Sequence, residues 1–329
     1  MEYFFKYITK TKSFLKTYKK YVSFGGVFVL IVIFLFFLMS APSKEKVTHN
    51  VNIPSGLSLM QVSLLLKENN IIRSDKIFRA IAILEGGEND IKAGPYLFDG
   101  TDNVFKVVRK IVNADYGVPV KKITIIEGMR GRDILNLFGG EFTNLNKEEF
   151  EREVLAREGY LFPDTYFIPL SASTSDIIQM LSDNFKRHIS KINLNESKTS
   201  TDLNNVITMA SIIEGEAKKD IDRKMIADIL WRRIGIGMPL QVDAAFMYIN
   251  GKPSSALTKK DLAMDSPYNT YVNKGLPPGP INNPGIEAIN SVLDPIENKY
   301  LYYLSDENGV MHYAVTFAEH KKNIEKYLK

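Results

Sequence analysis

Ile123-Thr-Ile-Ile-Glu-Gly128 is a β-branched run that stops on a glycine, and Ile134, Leu135 and Leu137 follow it at helical spacing. An extended apolar run, a glycine turn and then a 3.6-residue period read as strand, turn, helix. The same order stands 72 residues earlier. There Val51-Asn-Ile-Pro54 and Ser55-Gly56 lead into Leu59, Val62, Leu65 and Leu66, so that Gly56 matches Gly128 and Val62 matches Ile134. Short strands that each feed a helix predict an α+β fold assembled from small modules. Working outward, residues 76–84, 102–112, 147–157 and 173–192 carry helical spacing, and Ala93-Gly-Pro-Tyr-Leu-Phe98 reads as a strand. Tyr300-Leu-Tyr-Tyr-Leu304 and Gly309-Val-Met-His-Tyr-Ala-Val-Thr-Phe317 predict a hairpin, closed by a helix over 318–328. Residues 158–169 differ in kind: four aromatics, two prolines and two acids in twelve residues predict an extended segment that lines something.

Composition narrows the chemistry. The 329 residues are 45% hydrophobic and 24% charged, enough for a sizeable core in two or three folded units. There is no cysteine, which excludes disulfides, thiolate metal sites and a cysteine nucleophile. The four histidines stand at 49, 188, 312 and 320, too scattered for a metal-binding helix. The net charge of +4 is local: six lysines and one acid give residues 1–20 a charge of +5, leaving −1 for the other 309. A nearly neutral body gives no support to a nucleic-acid partner.

Residues 21–43 carry no charge, and their centre, Val27 to Met39, is unbroken apolar sequence. Spanning a bilayer takes about 20 such residues, so this stretch predicts a transmembrane helix. Ser40-Ala41-Pro42-Ser43 leaves a cleaved signal peptide as the alternative. Lysines ahead of the span place residues 1–20 in the cytoplasm and the rest outside it. Residues 43–50 read as a polar linker. The predicted organisation is a cytoplasmic tail (1–20), a span (21–43), a small α+β module (44–118) and a second, larger α+β domain (119–329).

Residues 204–219, Asn-Asn-Val-Ile-Thr-Met-Ala-Ser-Ile-Ile-Glu-Gly-Glu-Ala-Lys-Lys, predict a helix with Asp202 as its N-cap. Glu214 and Glu216, two apart, project about 200° from each other on a regular helix. Glu216 lies on the stripe of Met209, Ile212 and Ile213, bulkier than the stripe of Ile207, Ala210 and Ser211 that carries Glu214. An apolar stripe at the negative end of a helix raises a carboxyl pKa, as a general acid needs. Both acids could equally be surface residues paired with Lys218 and Lys219. Gly235-Ile-Gly-Met-Pro-Leu-Gln-Val-Asp243 then predicts a turn and a short strand presenting Gln241 and Asp243 on one face. Tyr268-Asn-Thr-Tyr271, Gly275-Leu-Pro-Pro-Gly279 and Asn283-Pro-Gly285 are irregular loops of the kind that build sites.

Ala210-Ser-Ile-Ile-Glu-Gly-Glu216, Met238-Pro-Leu-Gln-Val-Asp243 and those three loops, in this order, with Glu158-Gly-x-x-x-Pro-Asp-Thr-Tyr166 upstream of them, resemble the endolytic murein transglycosylase family of bacteria. The resemblance covers essentially the whole chain. It implies a LysM-like fold for 44–118 and a catalytic domain over 119–329, anchored in the inner membrane. It implies cleavage between N-acetylmuramic acid and N-acetylglucosamine within nascent peptidoglycan strands, leaving 1,6-anhydro ends, with no metal and no cofactor. Wall-synthesis machinery would be the partner. Matched to the family's Glu-x-Glu motif, Glu216 becomes the acid and base, with Glu214 as runner-up. Gln241, Asp243, Tyr268 and Asn269 become substrate-binding residues. One departure is Gly215, where the family often has lysine. Two other functions stay open: a hydrolase using Asp243 or Asp164 as its second carboxylate, and a wall-binding scaffold that does not cut.

Overall fold

The computed structural model describes residues 26–87, 91–192, 194 and 202–328. The predicted cytoplasmic tail, residues 21–25 of the predicted span and most of the polar stretch 193–202 lie outside the described residues. Residues 26–39 form helix α1, and its Val27, Phe28, Leu30, Phe34, Phe36 and Phe37 are exposed. Among the described residues no helix is long and apolar enough to cross a membrane. The chain divides into two compact units, one up to Val120 and one from Lys121.

In the first unit β1 (Thr48–Ile53), α2 (Leu59–Glu68), α3 (Asp75–Leu84), β2 (Gly94–Asp99) and α4 (Val104–Val112) follow one another. β1 and β2 pair antiparallel, with Val51 opposite Tyr96. Gly56 makes the turn at φ +72°, and Ser58 with Gln61 forms a capping box that starts α2. The predicted linker is shorter than its polarity suggests, because Thr48–Asn50 already belong to β1 and Gly100 N–H donates to Val47 O at 2.8 Å. Helix α4 starts two residues later than its spacing predicts. Asn103 caps it, and Asp102 instead turns inward to Lys106 and Lys110 at 2.6 and 2.9 Å. Burial works against its charge, yet the two lysines hold Asp102 below its ordinary pKa. Val62, Leu66, Phe78, Tyr96, Phe98, Val107 and Ile111 form the interior.

The second unit has two cores. β3 (Val120–Ile125) and β4 (Asp164–Pro169) share a two-stranded sheet, flanked in sequence by α5 (Gly131–Leu135), α6 (Lys147–Leu155) and α7 (Thr174–Ile189). Ile123, Ile125, Ile134, Phe150, Val154, Leu161 and Ile168 pack together there. The other core surrounds α8 (Leu203–Glu216), with α9 (Asp220–Gly235), α10 (Ala244–Asn250) and α12 (Ile286–Leu293), and the short α11 (Lys259–Leu262) follows α10 in sequence. The hairpin of β5 (Tyr302–Ser305) and β6 (Met311–Ala314) and the terminal helix α13 (Phe317–Tyr327) complete the chain as its pattern predicts. Three two-stranded sheets among the described residues, embedded in helices, make the fold α+β.

Two predicted features are corrected. The segment 158–169 is largely core and not an open lining: of its four aromatics Phe162 and Tyr166 are buried, together with Leu161 and Ile168, and Tyr160 and Phe167 are half-buried. The strand expected over 241–243 is absent, because Gln241 adopts φ +51°, a left-handed conformation that breaks strand alternation.

Gly159 shows how tightly the aromatic segment is seated. Its φ is +85°, and a Cβ there would lie 2.4 Å from Pro280 Cγ and 3.0 Å from Ile207 Cγ2. Left-handed strain and overpacking each cost about 1–3 kcal/mol. Gly159→Ala should therefore lower stability by about 3 kcal/mol, read as a lower midpoint in thermal unfolding; an unchanged midpoint would contradict this packing.

Candidate active site

The site grows from α8. Asp202 caps it by accepting from Asn204 N–H at 2.9 Å, and every residue from Val206 to Ile213 is buried. A helix buried on all sides is a core helix, so the two apolar stripes do not distinguish the acids as the pattern suggests. What distinguishes them is their partners.

Glu214 is committed to structure. Its Oε1 pairs with Arg223 Nη2 at 2.6 Å, and its Oε2 accepts from Gly285 N–H at 3.0 Å. Arg223 Nε also donates to Ala217 O at 3.0 Å, just past the end of α8. Burial pushes the Glu214 pKa up, while the Gly285 amide and Arg223 pull it back. Ser211, one turn earlier, accepts from Ile281 N–H at 3.0 Å, and its carbonyl accepts from Asn282 Nδ2 at 2.8 Å. Asn283 completes the seam: its amide donates to Met129 O and to Glu158, and its Oδ1 accepts from Leu161 N–H. The buried Glu158 carboxyl also accepts from Gly131 N–H, and burial pushes its pKa up to about 7.

Glu216, the last residue of α8, has neutral partners. Tyr303 hydroxyl donates to Oε2 at 2.9 Å, and Ala244 N–H to Oε1 at 3.3 Å. Burial raises its pKa to about 6 against these two donors; Asp243 raises it further and Arg233 lowers it. Arg233 is itself buried, donates to the Leu301 and Leu240 carbonyls, and lies over the Tyr302 ring at 5.4 Å. Asp243 accepts from Tyr271 hydroxyl at 2.5 Å on one oxygen and from Ser254 on the other. Burial raises the pKa of both Tyr271 and Tyr303, so the two hydroxyls stay protonated.

These groups line a cleft of about 940 Å³. Glu214, Glu216, Gln241 and Asp243 open onto it together, alongside Arg130, Asn282, Tyr271, Tyr302 and Tyr303. Gln241 reaches it from its left-handed turn, where its N–H donates to Thr270 O at 3.0 Å. Tyr268 and Asn269 do not line this cleft. Tyr268 packs on Tyr248, with ring centroids 4.7 Å apart. Asn269 is fully buried; its amide donates to Leu262 O and Met264 O and its Oδ1 accepts from Tyr271 N–H, so it shapes the loop that aims Tyr271. Asp164 lies on β4, hydrogen-bonded to Asn184 and to Thr165 N–H. No group of three or more His, Asp or Glu side chains among the described residues is arranged to hold a metal ion.

Sequence reasoning missed Tyr303, Arg233 and Ser254. Tyr303 falls inside a stretch that reads simply as a hairpin, and its partner is 87 residues away. The pairing of Asn283 with Glu158 was also hidden, although both residues stand in quoted motifs.

Residues 51–326 match the model of the YceG-like family. The chain is 33% identical over 311 residues to the endolytic murein transglycosylase of Bacillus subtilis (strain 168), covering 86% of each chain. It is 28% identical over 332 residues to the endolytic murein transglycosylase of Streptococcus pneumoniae serotype 2, covering 88% of this chain and 60% of that protein. The crystal structure of a yceG-like protein from Listeria monocytogenes, 31% identical, superposes over 84% of this chain and 99% of that chain with a TM-score of 0.55. Set beside the acid pair, the cleft and the seam that orders them, these matches carry one conclusion: the chain belongs to the YceG-like family.

Proposed function

We infer that this protein is a lytic transglycosylase that cuts within the glycan strands of murein, with Glu216 as the single acid and base. The observation that carries the reading is Glu216 itself, a carboxyl pushed up to about 6 in a large cleft and held by neutral donors alone. In family members named endolytic murein transglycosylases, that name gives the substrate class. The protonated Glu216 would transfer its proton to the glycosidic oxygen as the bond to the muramic acid C1 breaks. The C6 hydroxyl of the same sugar then attacks C1, and its proton passes to the Glu216 carboxylate. The bond from O6 to C1 replaces the one lost, no water enters, and Glu216 regains its proton.

A hydrolase would need a second carboxylate to activate water or bond to the sugar. Asp243 has both oxygens occupied by Tyr271 and Ser254, Glu214 is bound to Arg223 and Gly285, and Asp164 lies outside the cleft. This favours the lyase over the hydrolase, and a shaped acid in a cleft favours either over a scaffold that only binds. We propose Gln241 and Asp243 as substrate-facing residues, Asp243 through the hydroxyls it orders, and Tyr268 and Asn269 as supports for the Tyr271 loop.

The first unit fits a LysM-like glycan-binding module, because two helices separate a pair of antiparallel strands. The exposed apolar side chains of α1 and the lysines ahead of it support an anchor in the cytoplasmic membrane, with both units outside the cytoplasm. Such an anchor would bring the cleft to newly made glycan and the machinery that makes it. A reporter fused after residue 328 should be active only on the outer side; activity confined to the cytoplasm would reverse the orientation.

Digestion of purified peptidoglycan should release fragments with anhydro ends, one water lighter than hydrolytic products. Glu216→Gln should cut activity about 10²- to 10⁴-fold with its fold intact. Glu214→Gln should instead lose about 3 kcal/mol of stability, because Arg223 is left buried without its counter-charge. If the stability loss falls on Glu216→Gln and the activity loss on Glu214→Gln, the two roles are reversed.

The acid form of Glu216 starts the reaction, so kcat/KM should fall about tenfold per pH unit above about 6. A profile flat from pH 5 to 8 would exclude Glu216 as the acid.

A further inference from the structure

The two hydrogen bonds on Glu216 are unequal. The Ala244 amide reaches Oε1 at 3.3 Å, beyond the usual N–H···O range, whereas Tyr303 hydroxyl reaches Oε2 at 2.9 Å. The hairpin that carries Tyr303 is fixed to α9 on both strands. Leu301 O, just before β5, accepts from Arg233 Nε at 2.7 Å, and Tyr313, opposite Tyr303 in β6, donates to Asp222 at 2.7 Å. Tyr303 is therefore aimed by a braced hairpin. Among the described residues its hydroxyl has Glu216 as its one hydrogen-bond partner.

That single partnership favours one direction for the bond. If protonated Glu216 donated to Tyr303, its proton would be committed to the phenol oxygen and withheld from a glycosidic oxygen, and the phenolic hydrogen would have no protein acceptor among the described residues. If Tyr303 donates, both hydrogens are placed. A carbonyl-type oxygen accepts better than the hydroxyl oxygen of a carboxylic acid, so the stronger donor makes Oε2 the carbonyl oxygen and leaves the proton to Oε1. We propose that Tyr303 is a positioning residue for Glu216: its hydroxyl holds Oε2 as an acceptor throughout the reaction, so that Oε1 alone delivers and recovers the proton.

The inference rests on Glu216 being the acid and base. It also says how one carboxyl serves both steps. As the proton leaves Oε1, negative charge spreads onto Oε2, where a hydroxyl already points, and a hydrogen bond to an ionised acceptor strengthens. The charged groups nearest Glu216 are Asp243 at the start of α10, held by Tyr271 and Ser254, Arg233 on α9, and Glu214 with Arg223 on its own helix and α9, while Arg130, Asp133, Lys252 and the titratable His320 of α13 line the same cleft. None of these donates a hydrogen bond to Oε2.

The test is Tyr303→Phe, which removes one oxygen and keeps the ring. Two readouts are needed: the pH profile of kcat/KM, and the titration of the Glu216 side-chain carboxyl by carbon NMR of the full chain. Glu216→Gln identifies the resonance by deleting it. The charged form loses its best donor, so both the alkaline limb and the NMR midpoint should move up by about one pH unit. kcat should fall about tenfold, with KM and the thermal midpoint unchanged. A purely structural Tyr303 would lower stability or rate and leave the titration where it was; an unmoved midpoint in the folded variant overturns the proposal. If activity is too low to profile, the NMR midpoint still decides. The parent reading fails separately, if the wild-type protein makes no anhydro ends or Glu216→Gln keeps its activity.

Discussion

The ion pair between Glu214 and Arg223 is the constraint on which the site depends. It closes a core helix against the loop that follows Pro280, because the same carboxylate also takes the Gly285 amide. A buried pair of this kind gains little net stability over an apolar one, but removing either partner is costly. Its effect here is placement. With Ser211 holding Ile281 and Asn282, and Asn283 holding Met129 and Leu161, the polar side of α8 fixes the backbone beside the cleft. Glu216 then leaves the end of that helix in one direction.

The two acids separate by the kind of donor each receives. A guanidinium partner favours the charged carboxylate and resists protonation. Burial raises the pKa of both acids; at Glu214 a full positive charge opposes it, whereas the hydrogen-bond donors on Glu216 are a neutral hydroxyl and a backbone amide, so its carboxyl can carry a proton near neutrality. Glu214 is thus placed to hold structure, and Glu216 to exchange a proton. The buried Arg233 keeps that balance from going too far: close enough to lower the Glu216 pKa, it spends its hydrogen bonds on the Leu240 and Leu301 carbonyls rather than on Glu216.

Much of this was legible in the chain. Glycine turns at 56 and 128, the apolar period of α8 and the alternating hairpin all declare themselves locally, because propensity and burial agree there. The acid pair and the Gln241–Asp243 stretch were legible as motifs, though the backbone between them was not: alternation suggested a strand where Gln241 turns left-handed. What sequence hides is contact across long separations. Tyr303 looks like one aromatic among several in a strand until the fold sets it against Glu216. Asn269 has the chemistry of a sugar ligand, but three hydrogen bonds to loop backbone consume it. Phe162 and Tyr166 read as a lining and serve as core for the same reason: exposure is decided by what packs against a segment, and its own residues do not record that.

Gly215 shows the same dependence at a single position. Where the related family often has lysine between the two acids, this chain has no side chain at all. A Cβ at 215 would stand 2.7 Å from the Cβ of Ala244, so the start of α10 lies closer to α8 than any larger residue permits. That closeness is what lets the Ala244 amide reach Oε1, and at 3.3 Å it reaches only just. A side chain at 215 would push α10 back and lose this weak bond first. The Tyr303 bond comes from the hairpin and approaches from another element, so it would survive the retreat. The aim of Glu216 therefore depends on the hairpin more than on its neighbours in α10.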